Sequence, residues 1–132
     1  MPRFRILLID DDEDDRWLFS EAITRTLPAA ECITIAGGVE ALNLLRSGNS
    51  PLPHVIFLDL NMPGMDGLKC LEHMKGDPAL RQIPVFVYST SNFHRDIEQA
   101  YRHGAEQFII KPSDFNHLCS LLKELLGDRA AG

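Results

Sequence analysis

Three features of the chain predict an α/β fold built on a parallel sheet. Short β-rich runs alternate with longer stretches of helical period, in about five rounds. The runs RILLI, HVIFL and PVFVYS are nearly all apolar, as expected for strands covered on both faces. Finally, three runs end in chemistry: RILLI closes on Asp10, Asp11 and Asp12, HVIFL on Asp59, and EQFII on Lys111 and Pro112. The carboxyl ends of strands in an open parallel sheet form the crevice where ligands bind, so these side chains are expected to converge.

The first strand is RILLI at 5–9. The acidic turn after it opens a helix in which Leu18, Phe19, Ala22, Ile23 and Leu27 fall at core spacing, with Trp17 at the edge of the stripe; it ends before Pro28. CITIA at 32–36 is the second strand. The helix that follows spans 39–46, turns Ala41, Leu42 and Leu45 inward, and closes at Ser47 and Gly48, with a turn over 49–53. HVIFL at 54–58 is the third strand, and 67–75 the third helix. GDPALRQIP is read as a loop in which Asp77 and Pro78 favour a turn or a short helical start. PVFVYS at 84–89 precedes a helix over 95–103 that Gly104 stops. QFII at 107–110 precedes the last helix, 114–126, with Leu118, Leu121, Leu122 and Leu125 as its stripe and Ser113 as N-cap.

At 132 residues and 45% hydrophobic, the chain falls in the range of one domain, 1–132 with a core of about 5–126, and no output domain is expected. No repeat, low-complexity tract or linker interrupts it. With 13 Lys plus Arg against 19 Asp plus Glu, a net charge of -6 and no basic cluster, nucleic acid is not an expected partner. The odd set Cys32, Cys70 and Cys119 contains no C-x-x-C pair and fits a reducing cytoplasm. The N-terminal apolar run meets acids at once and lacks a cleavage site, so it reads as a strand. No apolar stretch approaches the roughly 20 residues a membrane span needs.

Consecutive Asp10, Asp11 and Asp12 place at least two carboxylates over the crevice that Asp59 faces. Such acids repel, and ionising all of them is costly without a cation. Hard oxygen ligands suit magnesium, which takes one or two protein carboxylates and keeps several waters. Asp12, Glu13, Asp14 and Asp15 are read instead as a solvated acidic turn at a helix N-terminus. Ser89 ends the fourth strand with a hydroxyl and Lys111 the fifth with an ammonium, both within reach of an anion held near Asp59. A carboxylate nucleophile completes a set suited to forming an aspartyl phosphate.

The motifs ILLIDDD, VIFLDLNMPGMDG, IPVFVYSTS and FIIKP, in this order and spacing over 5–126, resemble the receiver domain of two-component response regulators, of the stand-alone, chemotaxis-regulator-like kind. The resemblance implies a flavodoxin-like, doubly wound (βα)5 fold with strand order 2-1-3-4-5. It implies that Asp59 accepts a phosphoryl group from a sensor histidine kinase. Asp11 and Asp59 would bind Mg2+ directly, the backbone carbonyl of Asn61 would be a third ligand, and Asp10 would act through water. Ser89 would bind a phosphoryl oxygen, and Lys111 would pair with the phosphoryl group and Asp59. The usual cis peptide is expected at Lys111-Pro112, where proline permits it. Ser89, Phe108 and Pro112 are the implied switch positions, acting through a population shift at the face of the fourth helix, fifth strand and last helix. Ser89 stands where threonine is commoner and Phe108 where tyrosine is frequent, so the hydroxyl is kept at the first and lost at the second. Asn61 and Ser91 resemble the positions that tune dephosphorylation. A bacterial cytoplasm is the implied setting.

Other features carry less. Cys70 and His73 lie one helical turn apart but no second ligand pair accompanies them. His54, His94, His103 and His117 are scattered, and Gly37-Gly38 is not part of a nucleotide-binding fingerprint. Trp17 is a candidate contact for the kinase. Tyr101, Phe93 and the last helix are a candidate surface for a downstream protein target or for a homodimer. The rival readings are a phosphorelay intermediate passing phosphate to a histidine phosphotransfer protein, a Mg2+-dependent hydrolase and an FMN-binding protein. The hydrolase often carries an acid two residues after its nucleophile, where this chain has Asn61, and the acid-lined crevice would repel the FMN phosphate.

Overall fold

Strand and helix alternate through residues 3–131, which the computed structural model describes; the ends of the 1–132 span assigned above lie outside them. The elements are β1 (Arg5–Ile9), α1 (Glu13–Thr26), β2 (Glu31–Ile35), α2 (Gly38–Arg46), β3 (Val55–Leu58), α3 (Gly67–Gly76), β4 (Val85–Ser89), α4 (His94–Arg102), β5 (Gln107–Ile110) and α5 (Phe115–Ala131). The strands form one sheet in the order β2-β1-β3-β4-β5. All pairings are parallel, with Ile9 opposite both Ile35 and Leu58, and Ser89 opposite Ile110. The expected order is therefore the observed one, and every strand's carboxyl end emerges on the same edge.

Side chains alternate across the sheet, as the two-residue strand period requires. Leu7, Ile9, Ile56, Leu58, Val85 and Val87 pack on one face with α2, α3 and Ala100 of α4. Ile6, Leu8, Val55, Phe57, Phe86, Tyr88 and Ile109 pack on the other with α1 and α5. The second face is aromatic: Phe57 meets Phe19 edge-on at 5.0 Å and Phe86 at 5.2 Å between centroids. Burying each such side chain contributes roughly 1.5–3 kcal/mol, so the central strands are the rigid part of the scaffold.

The elements depart from expectation where tertiary contacts outrank local signals. Leu18 sits on the outer side of α1 and is 37% exposed, while Phe19, Ala22 and Ile23 carry the core. Helix α5 does not stop at 126. Leu118, Leu122 and Leu126 are its buried row, and Arg129 pairs with Glu106 at 3.1 Å while its guanidinium covers the Phe86 ring, so the extra turns are held by β4 and the turn before β5. Its N-terminal acceptor is Asp114, which receives the Asn116 N–H at 3.1 Å, in place of Ser113. In the GDPALRQIP segment, Leu80 and Ile83 are buried and the Lys75 ammonium donates to the carbonyls of Arg81 and Ile83, so the turn is anchored.

The loop after β3 turns sharply enough that Gly67 N–H donates to Leu60 O at 2.9 Å, while Asp66 caps α3 by accepting Lys69 N–H at 2.9 Å. A methyl group on Gly67 would collide with the Asp59 carbonyl oxygen and Leu60 Cα, backbone atoms that cannot swing aside. Gly67→Ala is expected to lower stability by about 2–3 kcal/mol in urea unfolding. A loss no larger than that of an exposed control such as Gly76→Ala, whose Cβ would meet open space, would contradict this close approach.

Candidate functional site

The site is assembled by strand ends that hydrogen-bond to one another. Just past β1, Asp10 N–H donates to Ile35 O at 3.0 Å, and just past β3, Asp59 N–H donates to Ile9 O at 2.9 Å. Because β1 and β3 are neighbours, the acids at their ends are brought side by side. On the far side of β4, Lys111 N–H donates to Ser89 O at 2.8 Å, which sets the lysine at the same edge. The apolar runs fix the register, and the register fixes where the polar residues land.

Asp10 is wholly buried and Asp59 nearly so. Asp10 Oδ1 accepts Asp12 N–H at 3.0 Å, and Arg16 Nη1 donates to the Asp10 carbonyl at 2.9 Å, so the first turn of α1 braces the strand end. Asp59 Oδ1 accepts Asn61 N–H at 3.3 Å. The Lys111 ammonium reaches three carboxylates: Asp15 Oδ2 at 2.7 Å, Asp10 Oδ2 at 2.8 Å and Asp59 Oδ2 at 3.3 Å. The Asp10 contact is an ion pair out of hydrogen-bonding alignment, and Asp10 Oδ2 is left as a buried oxygen without a hydrogen bond. Asp11, Asp59, Asn61 and Lys111 line an open cleft with the acids of the α1 turn and Thr90.

Burial pushes the Asp10 carboxyl up to about 6; the Lys111 ammonium 2.8 Å away and the bond from Asp12 N–H oppose the rise, and the Asp59 charge adds to it. Burial alone would pull Lys111 down, but the close carboxylates of Asp10 and Asp15 and the charge of Asp59 outweigh it, so its pKa is raised and the ammonium is retained. The Lys111 Nζ also stands 5.5 Å from the centroid of the buried Tyr88 ring.

Carboxylate oxygens of Asp10, Asp11 and Asp59 lie within 4.8 Å of one another. Four carboxylates, counting Asp15, thus gather around a single ammonium that reaches three of them, and the buried Asp10 Oδ2 has no hydrogen-bond donor. Both facts fit a divalent cation with hard oxygen ligands.

Several residues sit otherwise than the sequence suggests. The Lys111–Pro112 bond is trans, since no cis peptide occurs among the described residues; the backbone bond to Ser89 already directs the lysine into the site. Ser89 is buried behind the cleft, where its Oγ accepts Ser91 N–H at 3.2 Å, and Thr90 lines the cleft instead. Phe108 is half-buried against the core beneath α3 and α4, and its N–H donates to the Tyr101 hydroxyl at 3.1 Å. Asp15, read from the sequence as a solvated acid, is instead the shortest of the lysine's contacts. One helical turn past the strand end was the spacing that could have pointed to it.

The weakly supported features separate cleanly. Cys70 is buried, which pushes its thiol up to about 11, while His73 is exposed, so the two do not share a surface. His54 accepts Arg5 N–H and stacks on Phe4; His103 bridges Gln99 O and Glu72. Trp17 is 62% exposed on α1. No helix among the described residues is long and apolar enough to cross a membrane.

Residues 6–123 match the family described as "Response regulator receiver domain". The chain is 33% identical over 125 residues to the "Probable methanogenesis regulatory protein FilR2" of Methanothrix harundinacea (strain 6Ac), covering 92% of this chain and 81% of that protein. Among solved structures it resembles the phosphorylated cyanobacterial phytochrome response regulator RcpA, with a TM-score of 0.88 at 33% identity over 95% of this chain and 92% of that one. It also resembles the Mn2+-bound form of response regulator Rcp1, with a TM-score of 0.86 at 29% identity over 98% of this chain and 95% of that one. The methanogen protein extends the kinship beyond the bacterial setting first expected.

The buried Asp10 yields a test by its sign. Its carboxyl in the fold lies above its ordinary value, so the stability it contributes is full below about pH 4 and is lost as pH rises through about 6. In metal-free protein, Asp10→Asn is expected to raise stability at pH 7.5 by on the order of 1–3 kcal/mol and to flatten its decline with pH over that window. Denaturant melts at a series of pH values check both, and an unchanged pH profile would contradict the assignment.

Proposed function

Because the chain belongs to the response regulator receiver domain family of two-component signalling, we propose that it is a phosphorylation-activated switch whose phosphoacceptor is Asp59. The observation that carries this reading is the placement of the Asp59 carboxylate at the cleft, 3.3 Å from a retained lysine ammonium and beside the acids of β1.

In the proposed reaction an Asp59 oxygen attacks the phosphorus of a kinase phosphohistidine. The new P–O bond forms as the P–N bond breaks, leaving aspartyl phosphate on Asp59 and a free imidazole on the kinase. Asp11 and Asp59, with the Asn61 carbonyl, would hold Mg2+ directly, and Asp10 would hold it through water. When bound, Mg2+ supplies positive charge to the phosphoryl oxygens. Lys111 supplies a second, fixed positive charge, and preorganised charge of this kind lowers the barrier without rearrangement during the reaction. Nothing else in the reading requires turnover, so the chain is proposed as a switch and not as an enzyme that releases product in many cycles.

The readout is proposed to run from Ser89 and Phe108 to the surface of α4, β5 and α5. Three large apolar side chains stand out there: Phe93 at 71%, Tyr101 at 48% and Ile110 at 51% exposure. That surface would meet a downstream protein or a second copy of the chain. Exposed Trp17 on α1 would meet the sensor kinase, and the cytoplasm is the proposed compartment.

Incubation with acetyl phosphate and Mg2+, followed by intact mass and peptide mapping, is expected to add one phosphoryl group to the peptide containing Asp59 and none to the Asp59→Asn protein. Phosphate on another residue, or none at all, would overturn the proposal. With the cognate kinase, Trp17→Ala is expected to slow phosphotransfer by about tenfold while leaving the acetyl phosphate rate unchanged. Equal kinase rates for both proteins would remove Trp17 from the docking surface.

A further inference from the structure

We propose that Asp15 is a positioning residue of this site: its carboxylate tethers the Lys111 ammonium in the resting protein and competes with the incoming phosphoryl group for it. The inference rests on the phosphoacceptor reading of Asp59 and concerns a residue outside the proposed acceptor and metal set.

The Lys111 side chain is only 8% exposed, and three carboxylates crowd its ammonium within ion-pairing distance. An arriving phosphoryl oxygen must therefore compete with them for the ammonium. Asp10 is fully buried and held by Asp12 N–H, so it has nowhere to withdraw. Asp59 is the residue being modified. Asp15 differs from both. It lies on the first turn of α1, its side chain is 32% exposed, and it can turn to water without leaving a buried charge behind.

Asp15 is also the closest partner. Its 2.7 Å contact is a charge-assisted hydrogen bond, whereas the Asp10 contact is out of alignment and the Asp59 contact is longer. The backbone beneath it is fixed, because Asp15 N–H donates to the Asp12 side chain as the N-cap bond of α1. Its carboxylate is thus a built partner of Lys111 and not a solvated acid.

Asp15→Asn keeps the size of the side chain and removes its charge. With acetyl phosphate and Mg2+, its Asp59 is expected to be phosphorylated about three- to tenfold faster than in the parent, with half-saturation by beryllofluoride at correspondingly lower concentration. Asp15→Glu is expected to return both toward the parent values. In a Lys111→Ala background the gain from Asp15→Asn should vanish, since the effect runs through the ammonium. The same gain in both backgrounds would mark a general charge effect and overturn the tether, as would no gain in the parent background. If the parent protein accepts no phosphoryl group, the receiver reading itself fails. The tether is then judged from nitrogen-15 lysine spectra of metal-free protein. A Lys111 ammonium resonance that shifts and exchanges faster in Asp15→Asn upholds it, and one that stays unchanged overturns it.

Discussion

One lysine ammonium, Lys111, holds together a site that would otherwise repel itself. Asp10, Asp15 and Asp59 all lie within ion-pairing distance of its Nζ, and Asp11 stands close to two of them. Burial is what chiefly raises the carboxyl of Asp10, the most buried of them, to about 6, and the neighbouring Asp59 charge adds to the rise. The arrangement is under-neutralised by construction. That is a poor design for stability and a good one for capturing a cation and then a phosphoryl group.

The fold supplies this arrangement through adjacency and direction. Parallel pairing sends every carboxyl end to the same edge, and the order β2-β1-β3-β4-β5 sets the acids of β1 and β3 side by side with β5 one strand beyond β4. Backbone bonds from Asp10 to Ile35, from Asp59 to Ile9 and from Lys111 to Ser89 then fix each polar residue just beyond its apolar strand. The rigid core under the edge keeps repelling groups from drifting apart, as preorganised electrostatics requires. The loop that follows Asp59 is pinned by the close approach of Gly67 to Leu60.

The strands were legible because each is an apolar run bracketed by polar residues, and their observed limits fall within a residue of those read from the sequence. Strand order was not legible from periodicity and came only through the resemblance to a family. The leucine stripe of the last helix runs out by 126 in the sequence, yet the burial of Leu126 and the Arg129–Glu106 pair carry α5 on. Leu18 was misplaced because its spacing fits a stripe that is wider than the face α1 actually buries. Asp15 was missed for a related reason: an acid in an acidic helix start looks solvated unless the position of Lys111, 96 residues away in sequence, is known.

The central claim is that the strand-end acids are incomplete until a divalent cation and a phosphoryl-like anion join them. Its most direct test is the thermal unfolding midpoint of the protein alone, with Mg2+, and with Mg2+ plus beryllofluoride. Ligands that bind only the folded state raise that midpoint. The account predicts one rise with Mg2+ and a further rise with beryllofluoride, both absent in Asp59→Asn; a midpoint indifferent to either addition would contradict it.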